Sequence, residues 1–394
     1  MWHVYFQRDF SRGGAMNGLL HEHRDGTLGI RLFGLAALFA LALSAVLCLF
    51  QAIPGPCHAD QVSISGAGAT FPMPVFNQWI EAYNRTRKAT VSYRGIGSGG
   101  GIAHIKAKTV DFGASDNPLS PGDLEQMGLI QFPIIMGGVV PVVHIKGVQK
   151  NRLKLTPEVL ADIYLGKIRM WNDRRIRAIN SDLSLPEEEI VVVHRADGSG
   201  TTYIFTSYLS KVSKEWKENL GASKEIRWPT GVGGKGNPGV AGLVKRVEGS
   251  IGYVEYAYAV KDNLATVQLQ NSEGAFVKPS TPSFQAAAEK ADWKNAPGFV
   301  MDLTNQPGDK TWPIVGVSYI LVQKDQPDAE RATAMLTFFD WAYKNGNSAA
   351  ESLHYVSMPA NVVGLVKDLW ENQVTTQGVG VWKASDQAVS RDQD

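Results

Sequence analysis

Residues 194–201, His-Arg-Ala-Asp-Gly-Ser-Gly-Thr, combine groups that could bind an anion. The apolar β-branched run 190–193 before them is typical of a buried strand, and apolar residues at helical spacing follow them. Arg195 therefore leaves a strand, and Ser199 lies where a helix begins. A helix start presents unpaired N–H groups and a partial positive charge, and a guanidinium adds a fixed fork of donors. An anion-binding loop is one interpretation, and an ordinary helix cap beside a surface arginine is the other.

Three further segments repeat this plan of strand, turn and helix, two of them with a glycine-rich turn, and each carries a polar side chain after the strand. One glycine turn between a strand and a helix is common in any α/β sheet and would indicate little. Several together predict a polar site, because ligands bind at the carboxyl ends of strands in open α/β sheets. The polar residues are Thr70 after the glycines of 66–68, Ser98 within 95–101, and Asp116 after the strand-like 110–114.

The elements that must position these residues alternate between short β-branched runs and helical patterns, which predicts an α/β fold. A chain of 394 residues predicts about two domains, and no internal repeat or heptad pattern is found in it. The predicted strands include 89–94, 110–114, 131–135 and 190–193, and the predicted helices include 102–108, 121–127, 157–165 with Thr156 as its N-cap, and 329–343, with a helix and then a strand over 240–258.

Residues 1–59 predict a cleavable export signal. The run 32–50 is almost unbroken in its apolar character, and Cys57-His58-Ala59 has the small-x-small pattern of a cleavage site. A retained membrane helix is the alternative, which the lack of a basic cluster after the run disfavours. We predict cleavage after Ala59 and a periplasmic location, with translation starting at Met1 or Met16.

The chain beyond residue 59 has a composition that excludes several classes of function. Both cysteines, Cys48 and Cys57, precede the cleavage site, so no disulfide framework or thiol chemistry is expected. Basic and acidic residues are equal in number after the cut, and a nucleic-acid partner would need a basic face. We therefore expect an anion to be held by local dipoles, and we expect no nucleic-acid partner.

Two enzyme classes are the competing hypotheses. Gly95, Gly97 and Gly100 match the G-x-G-x-x-G pattern, with Asp116 at about the distance of a ribose contact, so a dinucleotide-binding oxidoreductase is the alternative function. A secreted phosphatase would need metal ligands or an activated nucleophile. The eight histidines are scattered without metal-ligand spacing, and no G-x-S-x-G elbow occurs. We predict no catalytic residue, no metal site and no cofactor.

Four motifs of the chain resemble those of the phosphate-binding protein of bacterial phosphate (Pst-type) ABC transporters. Further stretches are similar at 162–167, 251–258 and 338–343, and the likeness extends from about Ile64 to about Trp370. Gly99 departs from the family pattern, in which a second serine is common there. The four motifs are Gly-Ala-Gly-Ala-Thr-Phe-Pro (66–72), Gly-Ile-Gly-Ser-Gly-Gly-Gly (95–101), Val-Asp-Phe-Gly-Ala-Ser-Asp (110–116) and Arg-Ala-Asp-Gly-Ser-Gly-Thr (195–201).

The resemblance implies a two-lobed periplasmic-binding-protein fold of type II-like α/β lobes, with the ligand in the cleft between them. Lobe I would comprise 60–142 and 317–394, and lobe II 143–316. It implies a monomer that binds inorganic phosphate with high affinity and delivers it to the inner-membrane permease subunits of an ATP-driven importer, without enzymatic activity. In the family Asp197 pairs with the arginine. The phosphate-binding residues it implies are Thr70, Phe71 (through the backbone), Ser98, Asp116, Arg195, Ser199, Gly200 and Thr201.

Asp116 is unexpected in an anion site, because a carboxylate beside a dianion is repulsive. One hypothesis is that it only caps the helix that follows. The other is that it accepts a hydrogen bond from the proton that phosphate still carries at neutral pH and that sulfate lacks. An acceptor that faces sulfate would be left unpaired, so the second hypothesis predicts strong preference for phosphate.

Overall fold

The structure is a computed structural model that describes residues 61–86, 88–289 and 291–383. The predicted export signal, its cleavage site after Ala59 and the end of predicted lobe I therefore lie outside the described residues. Within the described part, no helix combines the length and the apolar character needed to span a membrane.

Strands and helices alternate along the described chain, as the sequence predicts. The strands are β1 (Ser63–Gly68), β2 (Thr90–Gly95), β3 (Phe112–Ser115), β4 (Leu129–His144), β5 (Lys154–Leu155), β6 (Val191–Arg195), β7 (Val232–Gly234), β8 (Ser250–Glu255), β9 (Ala265–Thr266), β10 (Gln268–Gln270), β11 (Phe276–Val277), β12 (Val315–Gln323), β13 (Val356–Ser357), β14 (Thr375–Thr376) and β15 (Val379–Gly380).

The helices connect these strands and pack against them. They are α1 (Met73–Asn84), α2 (Ser98–Lys106), α3 (Pro121–Met127), α4 (Pro157–Tyr164), α5 (Arg174–Ala178), α6 (Gly200–Val212), α7 (Lys214–Asn219), α8 (Gly236–Arg246), α9 (Tyr256–Lys261), α10 (Thr281–Ala288), α11 (Ala329–Asn345), α12 (Asn347–Ser352) and α13 (Ala360–Gln373), with 3₁₀ turns at Trp293–Asn295 and Pro297–Phe299.

Ten strands form one sheet in the order β2-β1-β3-β12-β4-β8-β6-β7, and β9 and β13 also pair with β4. On one side β1 runs parallel to β2 and β3, and on the other β6 runs parallel to β7 and β8. The long strand β4 belongs to both sides. Its residues 129–138 pair with β12, and its residues 139–144 pair with β8, antiparallel in both cases. The sheet therefore consists of two halves that share one strand.

Strand β4 is the apolar centre of the molecule. Every residue from Leu129 to Val143 is buried, and burial of a Val, Ile or Leu side chain contributes about 1.5–3 kcal/mol. The indole Nε1 of fully buried Trp312 donates to the carbonyl oxygen of Val139 at 2.9 Å. This contact joins the segment before β12 to the middle of β4. The prediction of a strand at 131–135 was too short, because the apolar run continues across both halves of the sheet.

The helix predicted at 102–108 in fact begins at Ser98 and ends at Lys106, so the start of that prediction was wrong. Glycines 99–101 are helical despite their low propensity, and the reason is packing. A Cβ on Gly101 would lie 2.6 Å from the carbonyl oxygen of Ala114 and 2.7 Å from the Cα of Gly68. The glycines therefore let α2 approach the sheet closely. As a result Ser98 occupies the first turn of a helix, where N–H groups lack helical partners.

Capping residues define the predicted helices that agree best with the structure. The helix predicted at 121–127 is confirmed as α3: the Ser120 side chain accepts from the amide of Asp123 at 3.1 Å, and Gly128 ends the helix with a φ of 64°. Thr156 is confirmed as the N-cap of α4. Other boundaries differ by a few residues: the strand predicted at 110–114 is β3, and the helix predicted at 329–343 is α11.

Candidate anion-binding site

The loop between β6 and α6 holds an ion pair in which Arg195 is buried and Asp197 is partly buried. Arg195 Nε and Nη2 donate to Asp197 Oδ1 and Oδ2 at 2.8 and 2.5 Å, and the amide of Gly236 donates to Oδ1 at 2.9 Å. Burial raises the pKa of Asp197, but the hydrogen bonds and charge of Arg195 outweigh burial and leave this pKa below its ordinary value. Both side chains of the pair are therefore ionised, and the net charge of the pair is zero. A guanidinium has five N–H donors, and this pair uses two of them.

Two threonine hydroxyls of the site are bound by the same asparagine. Thr70 Oγ1 accepts from the backbone N–H and the side-chain Nδ2 of Asn237, at 3.0 and 2.9 Å. Thr201 Oγ1 accepts from Asn237 Nδ2 at 3.0 Å and lies 3.4 Å from Arg195 Nη1. A hydroxyl has one hydrogen and two acceptor lone pairs, so both hydroxyls retain only the ability to donate. All four side chains are buried.

The Ser98 hydroxyl is constrained in the same way by two backbone amides. Its Oγ accepts from the N–H of Asp116 at 3.1 Å and from the N–H of Gly200 at 3.0 Å. This second contact joins α2 to the start of α6, and the amide of Gly99 also donates to the carbonyl of Gly198 at 2.9 Å. A Cβ on Gly200 would lie 2.5 Å from both Ser98 Oγ and Asp116 Cβ, so only glycine permits this approach.

Asp116 lies just beyond β3 and is 2% exposed. Its Oδ1 accepts from the hydroxyl of Ser318, on β12, at 2.6 Å. Burial raises the pKa of Asp116 from 3.8 to about 7, against the hydrogen bond from Ser318, the charge of Arg195 and the hydrogen bond from Ser98, which all lower it. Asp116 does not cap the following helix, because Ser120 occupies that position. The hypothesis of a mere capping role is therefore wrong.

Backbone amides supply further donors. Among the described residues, the N–H groups of Thr70 and Phe71 have no protein acceptor, and neither does that of Thr201 in the first turn of α6. The Phe71 side chain is buried in the core, so only its backbone can reach a ligand. Ser199 is the N-cap of α6: its hydroxyl accepts from the amide of Thr202 at 3.0 Å, and its own amide donates to Lys224.

The structure thus connects most of the sequence-predicted residues through short contacts. Thr70, Thr201, Arg195 and Asp197 form one hydrogen-bonded chain through Asn237, and Ser98 links Asp116 to Gly200. Sequence reasoning missed Asn237 and Ser318. A signal for Asn237 exists in the glycine-rich segment 233–236 directly before it, which is a further turn between a strand, β7, and a helix, α8.

The glycine loop 95–100 is filled by protein and leaves no room for a pyrophosphate. A Cβ on Gly97 would meet the carboxylate of Asp197 and the carbonyl of Gly198, and a Cβ on Gly100 would lie 2.9 Å from the Ile96 side chain. Asp116 is engaged by Ser318 rather than open for a ribose. Within the described ranges, no three His, Cys, Asp or Glu side chains lie close enough together to hold a metal ion.

Comparisons with known proteins identify the family to which the chain belongs. A family model of the PBP superfamily domain matches residues 55–345. The phosphate-binding protein PstS of Xylella fastidiosa is 49% identical over 320 residues, covering 81% of this chain and 88% of the relative. PstS of Pasteurella multocida is 49% identical over 322 residues, covering 82% and 94%.

The fold is shared with a solved structure of a high-affinity periplasmic phosphate-binding protein bound with phosphate. The TM-score is 0.64 at 20% identity, and the match covers 80% of this chain and 96% of that one. The predicted two-lobed periplasmic-binding α/β fold is confirmed. The predicted family is confirmed as well: the chain belongs to the PstS phosphate-binding proteins of the PBP superfamily.

Proposed function

We propose that this protein binds inorganic phosphate in the periplasm and delivers it to the inner-membrane permease of an ATP-driven phosphate importer. The ligand assignment rests on one observation. Many buried hydrogen-bond donors lie at one site, which offers a ligand a single hydrogen-bond acceptor. The hydroxyls of Thr70 and Thr201 can only donate, and unpaired amides and the guanidinium of Arg195 add further donors. A ligand with many acceptor oxygens and one proton, such as hydrogen phosphate, satisfies this pattern.

Asp116 supplies that acceptor in our proposal. Its Oδ1 is taken by Ser318, which leaves the second carboxylate oxygen for a proton carried by the ligand. Sulfate has similar size and charge but no proton at neutral pH. Bound sulfate would place one of its oxygens against the Asp116 carboxylate oxygen, and both atoms are acceptors. A buried mismatch of this kind lowers the affinity for an analogue by about 10⁴-fold.

The binding residues come from both proposed lobes, with lobe I comprising 60–142 and 317–394 and lobe II comprising 143–316. The contacts of Thr70 with Asn237 and of Ser98 with Gly200 cross this division. Strand β4 crosses this division, and it changes partner from β12 to β8 between Gly138 and Val139, a few residues before lobe II begins. We infer that the lobes close on the ligand about this strand and β12, in the manner of hinge closure, and that the closed form docks on the permease.

The same contacts favour transport over catalysis. Attack on a phosphate ester would need a nucleophile activated by a base. Ser98 accepts from two amides and Ser199 from the amide of Thr202, and neither hydroxyl contacts a histidine. We therefore propose a binding protein without catalytic activity or cofactor. We further propose that it acts as a monomer, has no nucleic-acid partner and is exported by cleavage after Ala59.

Calorimetric titration of the mature protein, freed of bound anion by denaturation and refolding, tests the proposal. Phosphate should bind with one-to-one stoichiometry and raise the free energy of unfolding by about 2.7 kcal/mol at a hundredfold excess over Kd. Sulfate and NAD at the same concentration should leave the melting temperature unchanged. Stabilisation by NAD or sulfate without stabilisation by phosphate would contradict it.

A further inference from the structure

Three consecutive carbonyl groups after β1 each accept a hydrogen bond from a tyrosine. The three tyrosines come from distant parts of the chain: β2, α9 and the residue before β13. Their hydroxyls are the last polar atoms of side chains otherwise packed against the core. We call them the tyrosine clamp: Tyr93 donates to Ala69 O at 2.7 Å, Tyr258 to Thr70 O at 2.6 Å and Tyr355 to Phe71 O at 2.7 Å.

The clamp determines where the neighbouring amides point. In a trans peptide the C=O and the following N–H point in opposite directions. A tyrosine on the carbonyl of Ala69 therefore directs the N–H of Thr70 away from it, and a tyrosine on the carbonyl of Thr70 does the same for Phe71. These two amides are unpaired in the described structure. The third tyrosine binds the carbonyl of Phe71, and the next residue, Pro72, has no N–H to direct.

Glu255 supports the third contact. The Tyr355 hydroxyl lies 2.8 Å from Glu255 Oε2 as well as 2.7 Å from the Phe71 carbonyl, but it has one hydrogen. Burial raises the pKa of Glu255 well above its ordinary value, and the nearby Asp116 adds to this. The Tyr355 hydroxyl is therefore shared between the Phe71 carbonyl and the Glu255 carboxyl, which joins the segment 69–71 to the end of β8. The backbone N–H of Glu255 also donates to Asn237 Oδ1 at 2.9 Å, which directs the Asn237 amide hydrogens at the two threonines.

We infer that Tyr93 and Tyr258 are positioning residues for anion binding, which orient the amides of Thr70 and Phe71 toward the ligand before it arrives, and that Tyr355 holds the end of the same segment in place. The inference rests on the proposed function. Preorganised donors bind more tightly because no ordering remains to be done when the ligand enters. The tyrosines need not touch the ligand for this effect.

Single tyrosine-to-phenylalanine variants of the three residues test the inference, with Tyr343→Phe as the matched control. The Tyr343 hydroxyl, on α11, also donates to a backbone carbonyl, that of Pro133 at 2.5 Å, away from the site. Each clamp variant should weaken phosphate binding, measured by calorimetry, by about three- to tenfold, the usual effect of one hydrogen bond. The control should bind phosphate as the wild type does.

Amide proton shifts supply a readout that a general loss of stability would not change. Phosphate should move the Thr70 and Phe71 amide protons downfield in the wild type. Tyr93→Phe should reduce the shift of Thr70, and Tyr258→Phe that of Phe71. Three variants keep the test decisive if one does not fold. Wild-type protein that fails to bind phosphate contradicts the proposed function, whereas clamp variants that match the control contradict this inference alone.

Discussion

Replacing Asp116 by asparagine should stabilise the phosphate-free protein and reduce its preference for phosphate over sulfate. Burial raises the pKa of this carboxyl from 3.8 to about 7, so the folded state holds the proton more tightly than the unfolded state. Stability contributed by the protonated acid is therefore lost as pH rises from about 4 to about 7, and stays lost above that. Three pKa units correspond to about 4 kcal/mol, which is an upper bound for the gain in the Asp116→Asn variant at pH 8.

Urea unfolding of phosphate-free wild type and variant between pH 4.5 and 8 measures this gain. The difference in the free energy of unfolding should be small at the acid end and grow to about 1–4 kcal/mol at pH 8. The Ser318 hydroxyl can still donate to the asparagine carbonyl oxygen, so the packing of the site changes little. A variant that is no more stable than the wild type at pH 8 would show that ionised Asp116 is not strained by burial.

The sulfate affinity of the two proteins completes the test. Sulfate keeps its charge over this range, so its titration reports the protonation of Asp116. Wild-type affinity for sulfate should rise about tenfold from pH 8 to pH 6, because only the protonated acid can donate to sulfate. The variant should bind sulfate equally at both. Since the hydrogen bond from Ser318 lowers the pKa of Asp116, Ser318→Ala should move the wild-type profile to higher pH. Strong, pH-independent sulfate binding by the wild type would refute the reasoning.

Three further predictions follow from the other contacts of the site. Arg195→Ala should weaken phosphate binding by about 1.5–3 kcal/mol in calorimetry, since the amides and hydroxyls of the site still bind the anion. Complete loss of phosphate binding would show that the charge of Arg195 dominates the affinity. Asn237→Asp should weaken phosphate binding more than Asn237→Ala, by tenfold or more, because a carboxylate would accept the threonine hydrogens that the ligand needs; equal affinities would contradict this role. N-terminal sequencing of the periplasmic protein should begin at Asp60, and an intact membrane-embedded chain would exclude the predicted cleavage.

Local sequence signals predicted the parts of the site that local structure builds. Arg195 and Ser199, which the local pattern predicts, lie within one strand-to-helix turn, whereas the pairing of Asp197 with Arg195 was implied by the family resemblance. Helix α3 agrees with the helix predicted at 121–127, and in the structure Ser120 and Gly128 mark its two ends. Such signals depend on backbone geometry that a short segment determines by itself.

Long-range contacts explain what the sequence did not reveal. Asn237 binds Thr70 across 167 residues, and Ser318 reaches Asp116 across 202. No periodicity or capping pattern marks such pairs, because they depend on how the two halves of the sheet meet. The glycines at 99–101 were misjudged for the same reason: they suggest a loop by propensity, but the close approach of α2 to β3 makes them helical.

In our proposal, the near-neutral site explains how the protein would choose between two anions of similar size and charge. Asp197 neutralises Arg195, and Asp116 adds a carboxyl rather than a cation. A strongly basic pocket would attract phosphate and sulfate alike, since Coulomb attraction depends on charge and distance. Hydrogen-bond polarity distinguishes them, because it depends on which ligand oxygen carries a proton. We therefore propose that the hydroxyls and amides held as donors, with one acceptor among them, give the site a selectivity that added positive charge would remove.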